Sequence, residues 1–345
     1  MTLHVLDHIP DGLLSRPANR LHEVLAGPTL IHLPGREQDT LFLSVLLHGN
    51  EDTGWEAVRA LLAEGQGLLP RGLSLFIGNV AAARHRMRAL DGQADFNRVW
   101  PGTAETDRPE ARLMAQVVDE VTRRDLFVSV DLHNNTGINP HYGCVNVLDH
   151  RFLHLAALFS RTVVYFIRPK GVQSMALAPH CPAVTIECGK VGSPGATEHA
   201  RQYVEACLKL SALPRHAVAA SDIDLFHTVA TVTVPDHIGM AFESDDSPAT
   251  LRFVDDMDHL NFRELPAETV LGFQSDPYQS PCVRVTDEDG LDVTREFFAV
   301  RSGQLRLRKP ALPSMLTTNP DIIRQDCLCY LMERYPLPPP PSHHE

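Results

Sequence analysis

Up to about residue 210 the chain alternates short, almost wholly apolar runs with segments of helical periodicity, and this alternation narrows the available folds more than any other feature. Residues 41–47 (LFLSVLL) and 73–79 (LSLFIGN) read as buried strands, and residues 55–63 between them as a helix with Thr53 near its start. A second helix begins at Pro109, in the first turn where a missing N–H does no harm. It runs to Arg123 and Arg124, whose charges suit the negative end of the helix dipole. Residues 126–132, 163–167 and 183–186 supply further strands, and 195–210 a last helix. Strands apolar on both faces need cover on both faces, so this region is expected to be an α/β domain with a largely buried sheet.

After Pro214 the runs become short and β-branched (228–234, 282–285, 296–300, 304–308), with Pro, Gly and Asp between them. The expected organisation is a catalytic domain over 1–212, a β-rich domain over 213–334 and a Pro-rich disordered tail over 335–345 (YPLPPPPSHHE). Charge follows the same division. The chain carries −12 overall, yet residues 222–296 alone hold 17 acidic side chains against 4 basic ones, so the acidity belongs to the second region. Such a balance disfavours nucleic acid and anionic membrane as partners. No apolar run reaches the ~20 residues of a membrane span and the start lacks a signal-peptide pattern, so a cytoplasmic protein is expected. The seven cysteines are odd in number and scattered, which predicts free thiols. Only Cys327-Leu-Cys329 resembles a soft-metal pair.

The chemistry-bearing residues sit just beyond apolar runs, where open α/β sheets place their sites. They are His48-Gly-Asn-Glu51, Asp95-Phe-Asn97-Arg98, Asp131-Leu-His133 and Glu187. Hydrolytic zinc sites take three His or Glu ligands and keep a fourth position for water. His48 and Glu51, three apart at a strand-to-helix turn, can face one ion, and His133 can complete the set from a neighbouring strand. Glu187 then fits as the carboxylate beside the water, acting as general base. Taken singly, His133 reads sooner as a core histidine on a carbonyl, and Glu187 as half of a buried ion pair. Around them, Arg84, Arg86, Arg88 and Arg98 stand against only Asp91 and Asp95. A locally basic segment in an acidic chain suits an anionic substrate.

The four segments resemble the succinylglutamate desuccinylase/aspartoacylase family of the zinc carboxypeptidase superfamily. HGNE, DFNR, DLHNNTG and IECG stand in the family's order for HGxE, DxNR, DLHxxxG and IExG, over roughly residues 29–200. The resemblance implies a zinc-carboxypeptidase-like mixed central sheet flanked by helices, with a C-terminal β-rich domain. It implies one Zn2+ per chain on His48, Glu51 and His133, although ligand type alone leaves Ni or Mn open. Glu187 would activate water and then protonate the leaving amine. Asn97 and Arg98 would hold a substrate carboxylate, because a guanidinium fork matches it bidentately. Asp95 would orient a metal-binding histidine from behind. Arg88, once a two-residue shift at Gly92-Gln93 is allowed, would stabilise the oxyanion.

Two departures bear on the substrate. Residues 173–179 (QSMALAP) hold no basic residue where the aspartoacylase branch reads the acyl carboxylate, which leaves N-acetylaspartate-like selectivity unsupported. The superfamily's cleft tyrosine has no clear counterpart: Tyr278 is one candidate, while Tyr142 and Tyr165 read equally as packing residues. The expected activity is hydrolysis of the amide bond of N-acyl amino acids or similar small carboxylate-bearing amides. The alternatives are a carboxypeptidase acting on peptide C-termini and a non-catalytic metal- or ligand-binding protein. The expected partner is a small anionic N-acyl substrate, and a homo-oligomer is compatible with the chain.

Overall fold

A computed structural model describes residues 1–65, 67–246, 248–275 and 280–339. In chain order the first half contains β1 (His4–Leu6), β2 (Thr29–Leu33), β3 (Gly35–Val45), α1 (Thr53–Glu64), β4 (Leu69–Ile77), α2 (Val80–His85), α3 (Pro109–Val121), β5 (Leu126–Asn135), β6 (Tyr142–Val145), α4 (His150–Ala157), β7 (Thr162–Tyr165), α5 (Gln173–Leu177), β8 (Ala183–Lys190) and α6 (Ala196–Lys209). The second half adds β9 (Asp224–Thr233), β10 (Met240–Phe242), β11 (Leu251–Phe253), β12 (Val270–Gln274), β13 (Arg284–Asp287), α7 (Thr294–Phe297), β14 (Phe298–Arg301), β15 (Gln304–Leu307), β16 (Leu312–Ser314), α8 (Pro320–Gln325) and β17 (Cys329–Arg334).

A mixed sheet of twelve strands runs β1-β2-β4-β3-β5-β8-β6-β7-β9-β17-β16, with β13 branching from β9. Its centre, β4-β3-β5-β8, is parallel, and from Leu41 to Val45 every apolar side chain of β3 is fully buried, as strands covered on both faces require. Helices supply that cover: α1 and α6 contribute Trp55, Ala57, Val58, Tyr203, Val204 and Cys207 to the main core. The expected mixed sheet flanked by helices is therefore present. The arginines read as the end of the second helix lie just past it, since α3 stops at Val121.

The β-rich second half divides its strands. Five of them form a separate sheet, β10-β11-β12-β15-β14, over their own core of Phe253, Phe298, Leu305 and neighbours. The others extend the large sheet: β9 pairs parallel with β7, and β17 antiparallel with β9. The large sheet therefore continues past residue 213, through β9, β17 and β16. The described part of the Pro-rich tail lies on the body. Leu337 packs against the main core, and the Pro339 carbonyl accepts from His150 Nε2 at 3.0 Å, while 340–345 lie outside the described residues. All seven cysteines are buried free thiols. Among the described residues no helix is long and apolar enough to cross a membrane.

Candidate active site

The backbone after β3 brings the first two side chains together. Leu46 takes a left-handed conformation (φ 56°), and its carbonyl accepts from Asn79 N at 2.6 Å, which turns the chain sharply at the sheet's end. Gly49 separates His48 from Glu51 because α2 lies against it. A Cβ there would stand 2.2 Å from Ala83 N and 2.7 Å from the Met87 carbonyl. His133 and Glu187 come from β5 and β8, and their register sets them directly side by side. In a sheet, cross-strand neighbours leave on the same face, so both side chains enter one cleft. Tyr142 on β6 is paired with Glu187 in turn and joins them.

His48, Glu51 and His133 are all buried and can offer ligand atoms within 4.8 Å of one another, so the trio can hold one metal ion. His48 Nδ1 lies 2.7 Å from Glu51 Oε1, and His133 Nδ1 lies 2.8 Å from Glu51 Oε2. The far nitrogens face carboxylates: His48 Nε2 is 3.0 Å from Asp95 Oδ1, and His133 Nε2 is 2.8 Å from Asp131 Oδ2. Asp131 is itself fixed by Ser44 Oγ at 2.6 Å. With a proton on each Nε2 shared with the carboxylate behind it, each Nδ1 turns its lone pair towards Glu51. Lone pairs against carboxylate oxygens repel unless a cation or protons lie between them. The donor set therefore fits a cation. Burial lowers both imidazoles, His48 further beside Arg88, but the surrounding carboxylates outweigh this. His48 sits above the ordinary histidine range and His133 well above it. Burial would raise Glu51, yet the two histidines hold it well below the usual carboxylate range.

Glu187 is different. Burial dominates there and Glu51 adds repulsion, so its carboxyl is pushed up to about 7 despite the opposing pull of His133. Its Oε2 is buried with no hydrogen-bond partner among the described residues. An unpaired carboxylate oxygen beside a cation-fitting trio, poised near neutral, is the arrangement expected of a proton acceptor.

Asp95 touches more than His48. Its Oδ2 accepts from Arg88 Nε at 3.2 Å and Nη2 at 2.9 Å, leaving Arg88 Nη1 on the cleft side, 3.9 Å from Glu51 Oε1. Asn97 is buried, with Oδ1 unpaired among the described residues. Arg98 reaches Asp326 rather than standing free: Nη2 donates to Asp326 Oδ1 at 2.8 Å and to the Tyr330 hydroxyl at 3.4 Å. Asp326 Oδ2 also accepts from Arg88 Nη2 at 3.3 Å. Burial would raise the Asp326 carboxyl, but Arg98 and then Arg88 hold it below its usual value.

All the expected site residues except Asp95 line one cleft, and Asp95 stands directly behind it. Its far wall is largely apolar, with Cys144, Val164, Phe166, Val172 and Met315. Sequence reasoning missed Asp326 and Tyr330, which belong to no motif, and the role of Asp131, whose only signal was its spacing two before His133 on one strand face. Tyr330 is the tyrosine that the second half brings to the cleft, with Tyr142 from the first. Tyr165 stacks on His227, and Tyr278 lies outside the described residues. Residues 173–179 begin with α5, whose Gln173 and Ser174 are fully buried, Gln173 donating to Ser129 Oγ at 2.8 Å. Arg168 instead brings a basic side chain to the cleft, from the exposed loop after β7.

Residues 37–211 match the family model described as the succinylglutamate desuccinylase/aspartoacylase catalytic domain. In structure the chain is similar to a succinylglutamate desuccinylase from Chromobacterium violaceum, with 19% identity over 88% of this chain and 87% of that one and a TM-score of 0.54. It is similar also to a succinylglutamate desuccinylase/aspartoacylase from Rhodobacter sphaeroides (14% identity, 88% of each chain, TM-score 0.57). A third likeness is to murine aminoacylase 3 (14% identity, 87% of this chain and 95% of that one, TM-score 0.55). At such identities these likenesses carry the fold. No curated protein matches the chain in sequence.

Proposed function

Since the chain belongs to the succinylglutamate desuccinylase/aspartoacylase family, we propose that it is a zinc-dependent amidohydrolase that removes the acyl group from a small N-acyl compound, N-acyl amino acids being the first class to test. The observation that carries this reading is the buried His48–Glu51–His133 trio with the unpaired Glu187 oxygen beside it. His48, Glu51 and His133 would hold the zinc, which in such a site lowers the pKa of water to about 7 and polarises a carbonyl. Asp95 and Asp131 fix the two imidazoles from behind. Glu187 takes the proton from the attacking water and passes it to the departing nitrogen, so that amide and water become carboxylic acid and amine. Arg88, its other donors committed to Asp95 and Asp326, offers Nη1 to the charge developing on the amide oxygen. Asn97 and Arg98 orient the amine part of the substrate.

We favour a deacylase over a carboxypeptidase because the second half adds Met315, Asp326 and Tyr330 to the cleft wall, an enclosure that suits a compact substrate. The test is an assay of N-acyl amino acids beside blocked dipeptides and longer peptides, using protein of measured metal content. The expected outcome is about one zinc per chain, with turnover confined to the short substrates. Efficient release from a long peptide would overturn the deacylase reading, and full activity in metal-free protein would overturn the whole proposal.

A further inference from the structure

Asp326 is the one carboxylate that the second half contributes to the cleft wall among the described residues. It directly follows α8, is only 15% exposed, and spans both arginines, with Oδ1 on Arg98 Nη2 at 2.8 Å and Oδ2 on Arg88 Nη2 at 3.3 Å. Arg88 is also bound by Asp95, and Arg98 Nη1 donates to the Asn97 carbonyl at 2.9 Å. Two guanidinium groups thus face two carboxylates, and Arg88 and Arg98 keep no surplus positive charge between them; the cleft's other arginine, Arg168, comes from the loop after β7. A substrate carboxylate brought to the same fork would meet Asp326 across it, and like charges in a buried site repel strongly. Swinging Asp326 away would leave Arg88 with Asp95 alone and the partly buried Arg98 without its carboxylate, which is costly in its own right. What the site still offers is mixed: the Nε–H of Arg98, outside those bonds, and the buried, unpaired Asn97 Oδ1. A group that both accepts and donates, without a negative charge, complements that pair.

We propose that Asp326 is a specificity-determining residue that occupies the carboxylate position between Arg88 and Arg98, so that the preferred substrates are N-acyl amides whose amine part presents a neutral carboxamide or hydroxyl in place of a free carboxylate. This rests on the deacylase reading for its reaction, but its recognition chemistry can be tested separately. The kinetic test sets N-acetyl amino acids beside their carboxamides on the metal-loaded enzyme. Carboxamides are expected to show kcat/KM at least tenfold higher. In Asp326→Asn that ratio should fall at least tenfold, chiefly through KM, because Arg98 then has charge to offer an anion. Preference of the wild type for the free acids, or a ratio that Asp326→Asn leaves unchanged, overturns the proposal. Calorimetric binding of leucinamide and leucine to the same holoenzyme separates this from failure of the reaction assignment. Tighter binding of leucinamide with no hydrolysis of any amide would keep the role of Asp326 and discard the reaction, whereas equal binding, tighter leucine binding or no binding of either would overturn the role. If Asp326→Asn does not fold, the wild-type ratios decide alone.

Discussion

The two halves of the molecule meet at one cleft and contribute to it by different physical means. The first half places His48, Glu51, His133 and Glu187 at or beyond the ends of parallel strands, where register fixes which side chains face one another. The second half contributes Asp326 and Tyr330 from the short segment between α8 and the start of β17, at the far side of a sheet that it shares with the first half through β7 and β9. The reacting groups of the proposed mechanism are thus set by strand register. The proposed selectivity group comes from a later element, joined to the first half by an ion pair.

The division can be broken most forcefully from the first half. Stripping the metal with a chelator, or His133→Ala, should abolish turnover, and zinc should restore only the stripped wild type. Metal analysis beside the assay checks this, and activity surviving in metal-free His133→Ala would remove the trio from the chemistry. Glu187→Gln should retain metal and fold yet lose about a thousandfold in kcat, within the range expected for a general base. In the wild type, burial holds the Glu187 carboxyl up to about 7 and a bound cation pulls it down. The acid limb of kcat/KM should therefore have its midpoint at or below pH 7, a limb that a pH profile measures directly.

The next effect tests whether the second half is tied on as described. Asp326→Asn leaves the buried Arg88 and the partly buried Arg98 short of a counter-charge and should cost about 2 kcal/mol at neutral pH, less than a fully buried pair would. Because Asp326 is held below its ordinary value of 3.8 in the folded protein, its contribution is complete above the unfolded-state pKa and is lost as pH falls through the folded-state value. The gap between wild type and Asp326→Asn in urea unfolding should be widest near pH 7 and should close below about pH 4. A gap independent of pH would mean that shape, not charge, joins the halves there.

This asymmetry also explains what could be read in advance. His48, Glu51, His133 and Glu187 were legible because each follows an apolar strand run, and because metal chemistry restricts residue type and spacing tightly. The parallel core and its helices were legible from the same runs. The short strands β1, β2 and β6 were not anticipated, nor was the continuation of the large sheet through β9, because strand order depends on packing and not on local pattern. Asp326 was illegible for a related reason. It lies 228 residues from Arg98 in the chain, and nothing in Asp-Cys-Leu-Cys-Tyr announces a partner that far away. Tyr330 is illegible for the same reason, and Tyr278, the candidate that the sequence offers in the second half, lies outside the described residues.

The smallest expected effect concerns the acidity that distinguishes the second half in composition. Of the acidic side chains described between 222 and 296, only Asp258 is buried, and Asp236 and Glu296 are fully on the solvent side. Exposed charges are screened by water and by physiological salt, so this excess should contribute little to the site's potential. Asp236→Asn with Glu296→Gln should leave kcat/KM within about twofold and stability within about 0.5 kcal/mol. A larger kinetic change that fades as salt is raised would show long-range electrostatics from this face reaching the substrate. In that case the second half would act on selectivity through its field as well as through Asp326, and the sharp contrast between one placed carboxylate and a solvated acidic surface would fail.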